Sequence, residues 1–217
     1  MQPEWPKRSN DRWPFFRSYR LGPTLAYNLC RSGTKSRGRE KLLDVLHRRV
    51  RPGDRVLLCF GEIDCRAHLI RQSQTRGVSA VELARECVDR YFQVVEEIDA
   101  MGFRAMVWNV LPPTTRMIDE GAFPVAGSLH ERMEVTRQFN ASLLQRCDLA
   151  GVPFVSIFDA LLGAEGAPDH DWFLDCVHLG PQAIVLAVDA LAPICPEIDF
   201  SGYVRQVESV NPPRHAA

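Results

Sequence analysis

Apolar and polar positions follow one another along the chain in a pattern that predicts strands and helices in turn. Residues 56–60, 103–111 and 153–158 form short apolar runs, which are typical of strands buried on both faces of a parallel sheet. Segments 79–101 and 129–150 repeat apolar residues three and four apart, which predicts helices between those strands. This alternation predicts an α/β fold, with a parallel sheet covered by helices.

Weaker patterns flank these elements. Residues 40–50 and 181–191 have helical spacing, 25–30 favour a short helix, and 15–21 favour a short strand that ends at Gly22-Pro23. Ser79 with Glu82 three residues later predicts a capping box. Residues 1–14 read as irregular and 196–217 as a tail, so we expect one domain over residues 15–195.

Composition and charge argue against a nucleic-acid-binding, a membrane-spanning and a secreted protein. The 217 residues carry a net charge of −1, yet residues 1–55 hold 14 Lys/Arg against 5 Asp/Glu. This balance gives no reason to expect a nucleic-acid partner. No apolar run reaches the roughly 18–20 residues of a membrane span, and no signal peptide is visible at the N-terminus. Seven cysteines without a CxxC pair favour a reducing, cytoplasmic compartment, with Cys59 and Cys87 as core thiols.

Two short stretches concentrate candidate chemistry. Segment 61–68 packs Glu62, Asp64, Arg66 and His68 directly after the most apolar strand, where ligands gather in α/β sheets. Asp175 lies three residues before His178, so its carboxylate can hold the ring Nδ1 and leave Nε2 to act as a base. No glycine-rich nucleotide motif and no CxxC pair is present, so we expect no cofactor and no bound metal.

Together these stretches resemble the SGNH hydrolases, also called GDSL-type esterases and lipases. Gly61-Glu62-Ile63-Asp64 stands where that superfamily has its G-x-N-D block, and Asp175-x-x-His178 where it has its acid and base. Gly22 is similar in place to the oxyanion glycine. The resemblance spans residues 15–195, and the Gly-Glu-Ile-Asp-Cys-Arg block resembles a bacterial subgroup associated with polysaccharide loci.

The resemblance implies a three-layer α/β/α, flavodoxin-like fold and acyl-ester chemistry. It implies an ester hydrolase or O-acyltransferase acting on an acylated carbohydrate or another small ester, with His178 as base and Asp175 orienting it. Gly22, Gly61, Asp64, Arg66 and Asn109 are the candidate oxyanion and pocket residues. A buried Asn109 bonded to the backbone is an equally good interpretation.

The sequence departs from that superfamily at two places. Ile63 replaces the asparagine donor, so Arg66 or loop N–H groups would have to serve instead. The Gly-Asp-Ser block that carries the nucleophile is absent. We therefore expect a sheet without its first, central strand, by truncation or by loss, and a chain that is weakly active or inactive with an unknown nucleophile.

Three alternatives stay open at this point. Cys65 or Cys176 could replace the missing serine, although inert thiols are the plainer interpretation. Asp64, His68, Asp175 and His178 could form the metal site of a metal-dependent hydrolase. The fold could also serve as a non-catalytic binding or interaction protein, whose basic N-terminal segment contacts an acidic glycan or a nucleotide-linked partner.

Overall fold

A small parallel sheet forms the centre of the protein, whose computed structural model describes residues 8–9, 16–115 and 124–200. The strands in chain order are β1 (Arg8–Ser9), β2 (Ser18–Tyr19), β3 (Arg55–Leu58), β4 (Arg104–Trp108) and β5 (Phe154–Val155). The parallel sheet has the order β3-β4-β5, while β1 and β2 form a separate antiparallel pair.

Within the residues that the structure describes, five α-helices connect and cover the strands. They are α1 (Gly38–Arg49), α2 (Leu69–Arg76), α3 (Ala80–Ala100), α4 (Leu129–Ala150) and α5 (Ile184–Leu191). A π-helical turn, Asp64–His68, leads into α2, and the predicted helix at 25–30 is a single 3-10 turn, Ala26–Asn28. In the described part of the chain, no helix combines the length and apolarity that crossing a bilayer requires. The predicted α/β fold is confirmed.

The two faces of the sheet bury different clusters. Ala105 and Val107 pack with the helices α1 to α4, whereas Met106, between them in the strand, packs with Val188 and Leu191 of α5. Successive side chains of a strand point to opposite faces, so β4 is covered on both sides. The crossovers through α3 and α4 both advance in one direction along the sheet, and right-handed connections then place both helices on one face.

Among the described strands, β3 lies at an edge of the sheet. Within the described residues it pairs only with β4, although its apolar sequence predicts a strand in the middle of a sheet. Three of its four residues are only half-buried. Cys59, which follows it, is exposed, so its prediction as a core thiol is wrong, whereas Cys87 is fully buried in α3. Apolar content alone does not distinguish a central strand from an edge strand.

The ends of the described chain are more ordered than the pattern predicts. Arg8–Ser9, inside the segment expected to be irregular, pairs with Ser18–Tyr19. Of the strand predicted over residues 15–21, the described structure has only Ser18–Tyr19 as a strand. At the other end, Phe200 is buried and its ring stacks on Phe16 at 6.4 Å between centroids. The first residues of the predicted tail therefore belong to the domain, and residues 201–217 lie outside the described part.

Serine side chains begin the two long helices in different ways. Ser79 precedes α3 as predicted, but its hydroxyl accepts only from the Val81 N–H at 3.3 Å, without the reciprocal Glu82 bond of the expected capping box. The capping box is at α4 instead. There the Ser128 hydroxyl accepts from the Glu131 N–H at 3.2 Å, and the Glu131 carboxylate accepts from the Ser128 N–H at 2.7 Å.

Replacing Ser128 with alanine should lower the free energy of unfolding by about 1 kcal/mol, since the Glu131 N–H loses its acceptor and the capping box is broken. Urea denaturation measures the change. Ser79→Ala is the matched control and should have a smaller effect because its single bond is longer. An equal or larger effect at Ser79 would contradict the assignment of the box.

Candidate functional site

Residues 172–180 form a tight loop that presents Asp175 and His178 at its tip. Phe173 and Leu179 pair in an antiparallel bridge, and the Leu174 N–H donates to the His178 carbonyl at 2.8 Å. The Gly180 N–H closes the base of the loop on the Trp172 carbonyl, also at 2.8 Å. These backbone hydrogen bonds within the loop fix the spacing of Asp175 and His178, although neither residue lies in a helix or a long strand.

The carboxylate of Asp175 organises this tip. Its Oδ1 accepts from the N–H groups of Val177 and His178 at 2.8 Å each, an Asx turn, and its Oδ2 lies 2.7 Å from His178 Nδ1. Burial alone would raise the pKa of Asp175, but these hydrogen bonds outweigh it and hold the pKa below its ordinary value. An ionised carboxylate on Nδ1 directs Nε2 outward as the basic nitrogen.

A cleft of about 510 Å³ opens beside the tip of this loop. Cys176 and Val177, between the acid and the base, belong to its wall, and the Thr114 hydroxyl donates to the Cys176 carbonyl at 3.5 Å across it. The other walls come from the start of α2, the segments on either side of residues 116–123, and the start of α4. Their residues include Glu62, Cys65, Arg66, Arg71, Val110, Leu111, Pro112, Pro113, Thr115, Pro124, Val125, Arg132 and Thr136.

Arg66 is the predicted pocket residue that the structure places in the cleft wall. It is buried, its Nε lies 2.5 Å from Glu62 Oε1, and its Nη1 donates to the Pro124 carbonyl at 2.5 Å. These bonds tie the helix start to the chain that follows residues 116–123. Arg66 therefore holds two walls of the cleft together and brings positive charge to them.

Asp64 faces away from the cleft, contrary to its prediction as a pocket residue. Its carboxylate is fully buried and accepts from the Ala26 N–H at 2.7 Å and the Tyr27 N–H at 3.2 Å. Side chains two residues apart on a helix do not share a face, so Asp64 and Arg66 cannot both line one wall. Asp64 anchors the 3-10 turn at residues 26–28.

Three further predicted pocket residues do not line the cleft either. Gly61 has φ +110° and lies against Val110 and Phe139, so it joins strand to helix without forming the wall. Gly22 has φ +81° in the turn that precedes Ala26. Asn109 is buried, donates to the Val110 carbonyl and accepts from the Ile157 N–H, so the backbone-bonded interpretation applies.

The two fallback thiols do reach the cleft. Cys65 is buried and Cys176 half-buried, and both contribute to its wall. Burial raises the pKa of both thiols, so neither is a ready thiolate at neutral pH. The described cleft wall contains threonine hydroxyls but no serine.

Arg132 and Thr136 are cleft residues that the sequence analysis missed. Both lie on the buried face of α4, four residues apart, together with Val135 and Phe139. A charged residue in the apolar stripe of a helix was the available signal, because a buried arginine needs a partner or a polar cavity.

The four proposed metal ligands do not come together. Asp64 faces residues 26–27, and His68 borders a separate small cavity with Tyr27 and Arg76. Over residues 16–115 and 124–200, no group of three or more His, Cys, Asp and Glu side chains is placed to hold a metal ion.

Comparison with known proteins finds matches among solved structures only. No family model matches the chain, and no curated protein matches it. Among solved structures, it is similar to a protein from Streptococcus pneumonia provisionally described as a platelet activating factor, with 15% identity and a TM-score of 0.46. The match covers 65% of this chain and 59% of that one, so the chain spans less than two thirds of its length. At this level the likeness assigns neither a family nor an activity.

Proposed function

We propose that this protein is an SGNH-like ester hydrolase or O-acyltransferase that acts on an acylated carbohydrate or another small ester. The observation that carries the proposal is the Asp175–His178 pair, 2.7 Å apart, whose two intervening residues, Cys176 and Val177, line a cleft large enough for a small substrate. The order of the Gly61–Asp64 block and this pair along the chain supports it.

In the proposed reaction, His178 Nε2 removes a proton from the group that attacks the ester carbonyl. Asp175 keeps the imidazole in the required tautomer and stabilises the imidazolium that forms. The imidazolium then gives this proton to the ester oxygen as the C–O bond to the carbonyl carbon breaks, which releases the alcohol. Arg66 supplies positive charge at the cleft wall, where negative charge develops on the carbonyl oxygen.

The rate expected for ester hydrolysis depends on which group attacks the carbonyl carbon. The described cleft wall offers no serine, and its two thiols have raised pKa values. We propose that water is activated directly by His178, without a covalent intermediate. General-base catalysis alone gives a smaller acceleration than the full machinery of a nucleophile, base and oxyanion hole, so turnover should be slow.

The test is hydrolysis of p-nitrophenyl acetate by the purified protein. We expect slow turnover without a burst, which His178→Ala reduces at least about tenfold through loss of the general base. His130→Ala is the matched control, since His130 is exposed at the start of α4. Turnover that His178→Ala does not change would overturn the proposal, and a burst would show a covalent nucleophile.

A further inference from the structure

Arg132 is a buried cation without a counter-ion in the described structure. The residue is 9% exposed, and its Nη1 donates to the Gly127 carbonyl at 2.8 Å. Among the described residues, no carboxylate pairs with it, whereas Glu62 forms an ion pair with Arg66. Burying an unpaired charge is costly, so a guanidinium in this position indicates a polar or anionic ligand.

Arg132 has donors besides the one bonded to Gly127, and the residue lines the cleft. Its Nε and Nη2 have no partner in the described chain, yet neither atom is sealed from solvent. Arg132 contributes to the cleft wall, so these donors are reached from the cavity. Nε and Nη2 form the planar fork with which arginine binds two oxygens of one carboxylate or phosphate.

The cleft as a whole is positive. Arg66, Arg71 and Arg132 line it, and Glu62 is the one acidic residue in the described wall. Burial, with a contribution from the like charge of Arg66, lowers the pKa of Arg132, but a guanidinium remains charged at neutral pH. Apolar residues such as Pro112, Pro113 and Val125 form other parts of the wall and strengthen electrostatic attraction inside.

We propose that this cleft binds a small molecule bearing an oxyanion, a carboxylate or a phosphate, through the guanidinium of Arg132. Arg66 and Arg71 add positive charge around the same group. The further statement that this molecule is the ester substrate rests on the proposed function. Anion binding itself does not rest on the proposed function, because it can be measured without turnover.

Calorimetric titration at low ionic strength tests the proposal with three probes: inorganic phosphate, glucuronate and uncharged glucose. We expect the wild-type protein to bind phosphate, glucuronate or both, and not glucose. The preferred anion distinguishes a phosphorylated from a carboxylated ligand. Arg132→Gln should raise the dissociation constant about tenfold or more, equivalent to about 1.4 kcal/mol.

Two further variants keep the result interpretable. Arg137→Gln removes the same charge from an exposed position on the same helix and should leave binding unchanged. Arg132→Lys keeps the charge without the fork and should weaken binding by a smaller factor, and it replaces Arg132→Gln if that variant fails to fold. No anion binding by the wild type, or equal losses in Arg132→Gln and Arg137→Gln, would overturn the proposal.

Anion binding and ester hydrolysis, both measured on the wild-type protein, separate this inference from the proposed function. Anion binding without ester turnover would leave the anion site standing and remove the esterase. Ester turnover without anion binding would remove the anion site and leave the esterase standing.

Discussion

Replacing Gly61 with alanine is expected to lower the free energy of unfolding by roughly 3–5 kcal/mol. Gly61 has φ +110°, a backbone conformation that residues with a side chain rarely adopt because it is strained for them. A Cβ there would lie 2.7 Å from Phe139 Cζ and 2.8 Å from Val110 Cγ2. Both neighbours are buried, so neither can move aside cheaply.

Urea denaturation and thermal unfolding measure this loss. For a protein of this size, each kcal/mol shifts the midpoint by roughly 2–4 °C, so the expected decrease is roughly 6–20 °C. Gly77→Ala is the matched control. Gly77 also has positive φ, +65°, but a Cβ there would meet no atom within 4 Å, so its cost should be about 1–2 kcal/mol, from the backbone conformation alone. Equal losses at the two positions would show that steric overlap at Gly61 does not occur.

The helices were the part of the fold that the sequence predicted best. The ends of α3 and α4 fall within one residue of the predicted segments, because each has a long apolar stripe and ends at a glycine or beside one. The strands were harder. The apolar run at 153–158 yields only Phe154–Val155 as strand, because Ile157 and Phe158 lie beyond its pairing with β4.

The edge position of β3 could not be predicted from its own residues. Val56, Leu57 and Leu58 are as apolar as a central strand requires, but sheet order depends on which other segments pair with them. Pairing is a long-range property, whereas the apolar pattern is local.

In the candidate site too, contacts between residues close in the sequence could be predicted, and contacts between distant residues could not. Asp175 and His178 meet because three residues and one Asx turn separate them, so spacing alone predicts the contact. Arg132 approaches Arg66 only after α4 packs beside the π-helical turn, which no local pattern shows. Asp64 was misplaced for the same reason, since its partners Ala26 and Tyr27 are 38 and 37 residues away.

Replacing Asp64 with alanine is the second change for which we expect a large effect, a loss of roughly 3–5 kcal/mol in the free energy of unfolding. The carboxylate accepts hydrogen bonds from the Ala26 N–H, the Tyr27 N–H and the Cys87 thiol. Removing it leaves buried donors without an acceptor and opens a cavity. Asp64→Asn keeps one acceptor oxygen and most of the volume, so its loss should be smaller.

The pH dependence separates the charge of Asp64 from its hydrogen bonds. Burial raises the pKa of Asp64 to about 6, from an ordinary value of 3.8, even though its hydrogen bonds act in the opposite direction. The folded protein therefore holds this proton more tightly than the unfolded chain does. The stability from this group is fully present below about pH 4 and is lost as the pH rises through about 6, a change of roughly 3 kcal/mol.

Comparing wild type and Asp64→Asn in urea from pH 4 to pH 7 isolates this contribution, because asparagine does not titrate. The variant should be most destabilised relative to wild type at pH 4 and least at pH 7. Glu197→Gln is a control of opposite sign. The bond with Arg55 lowers the pKa of Glu197 to about 2, so that variant should lose most relative to wild type at pH 7. A difference between Asp64→Asn and wild type that is constant with pH would show that Asp64 keeps its ordinary pKa despite complete burial. The anchor of residues 26–28 would then depend on its hydrogen bonds alone.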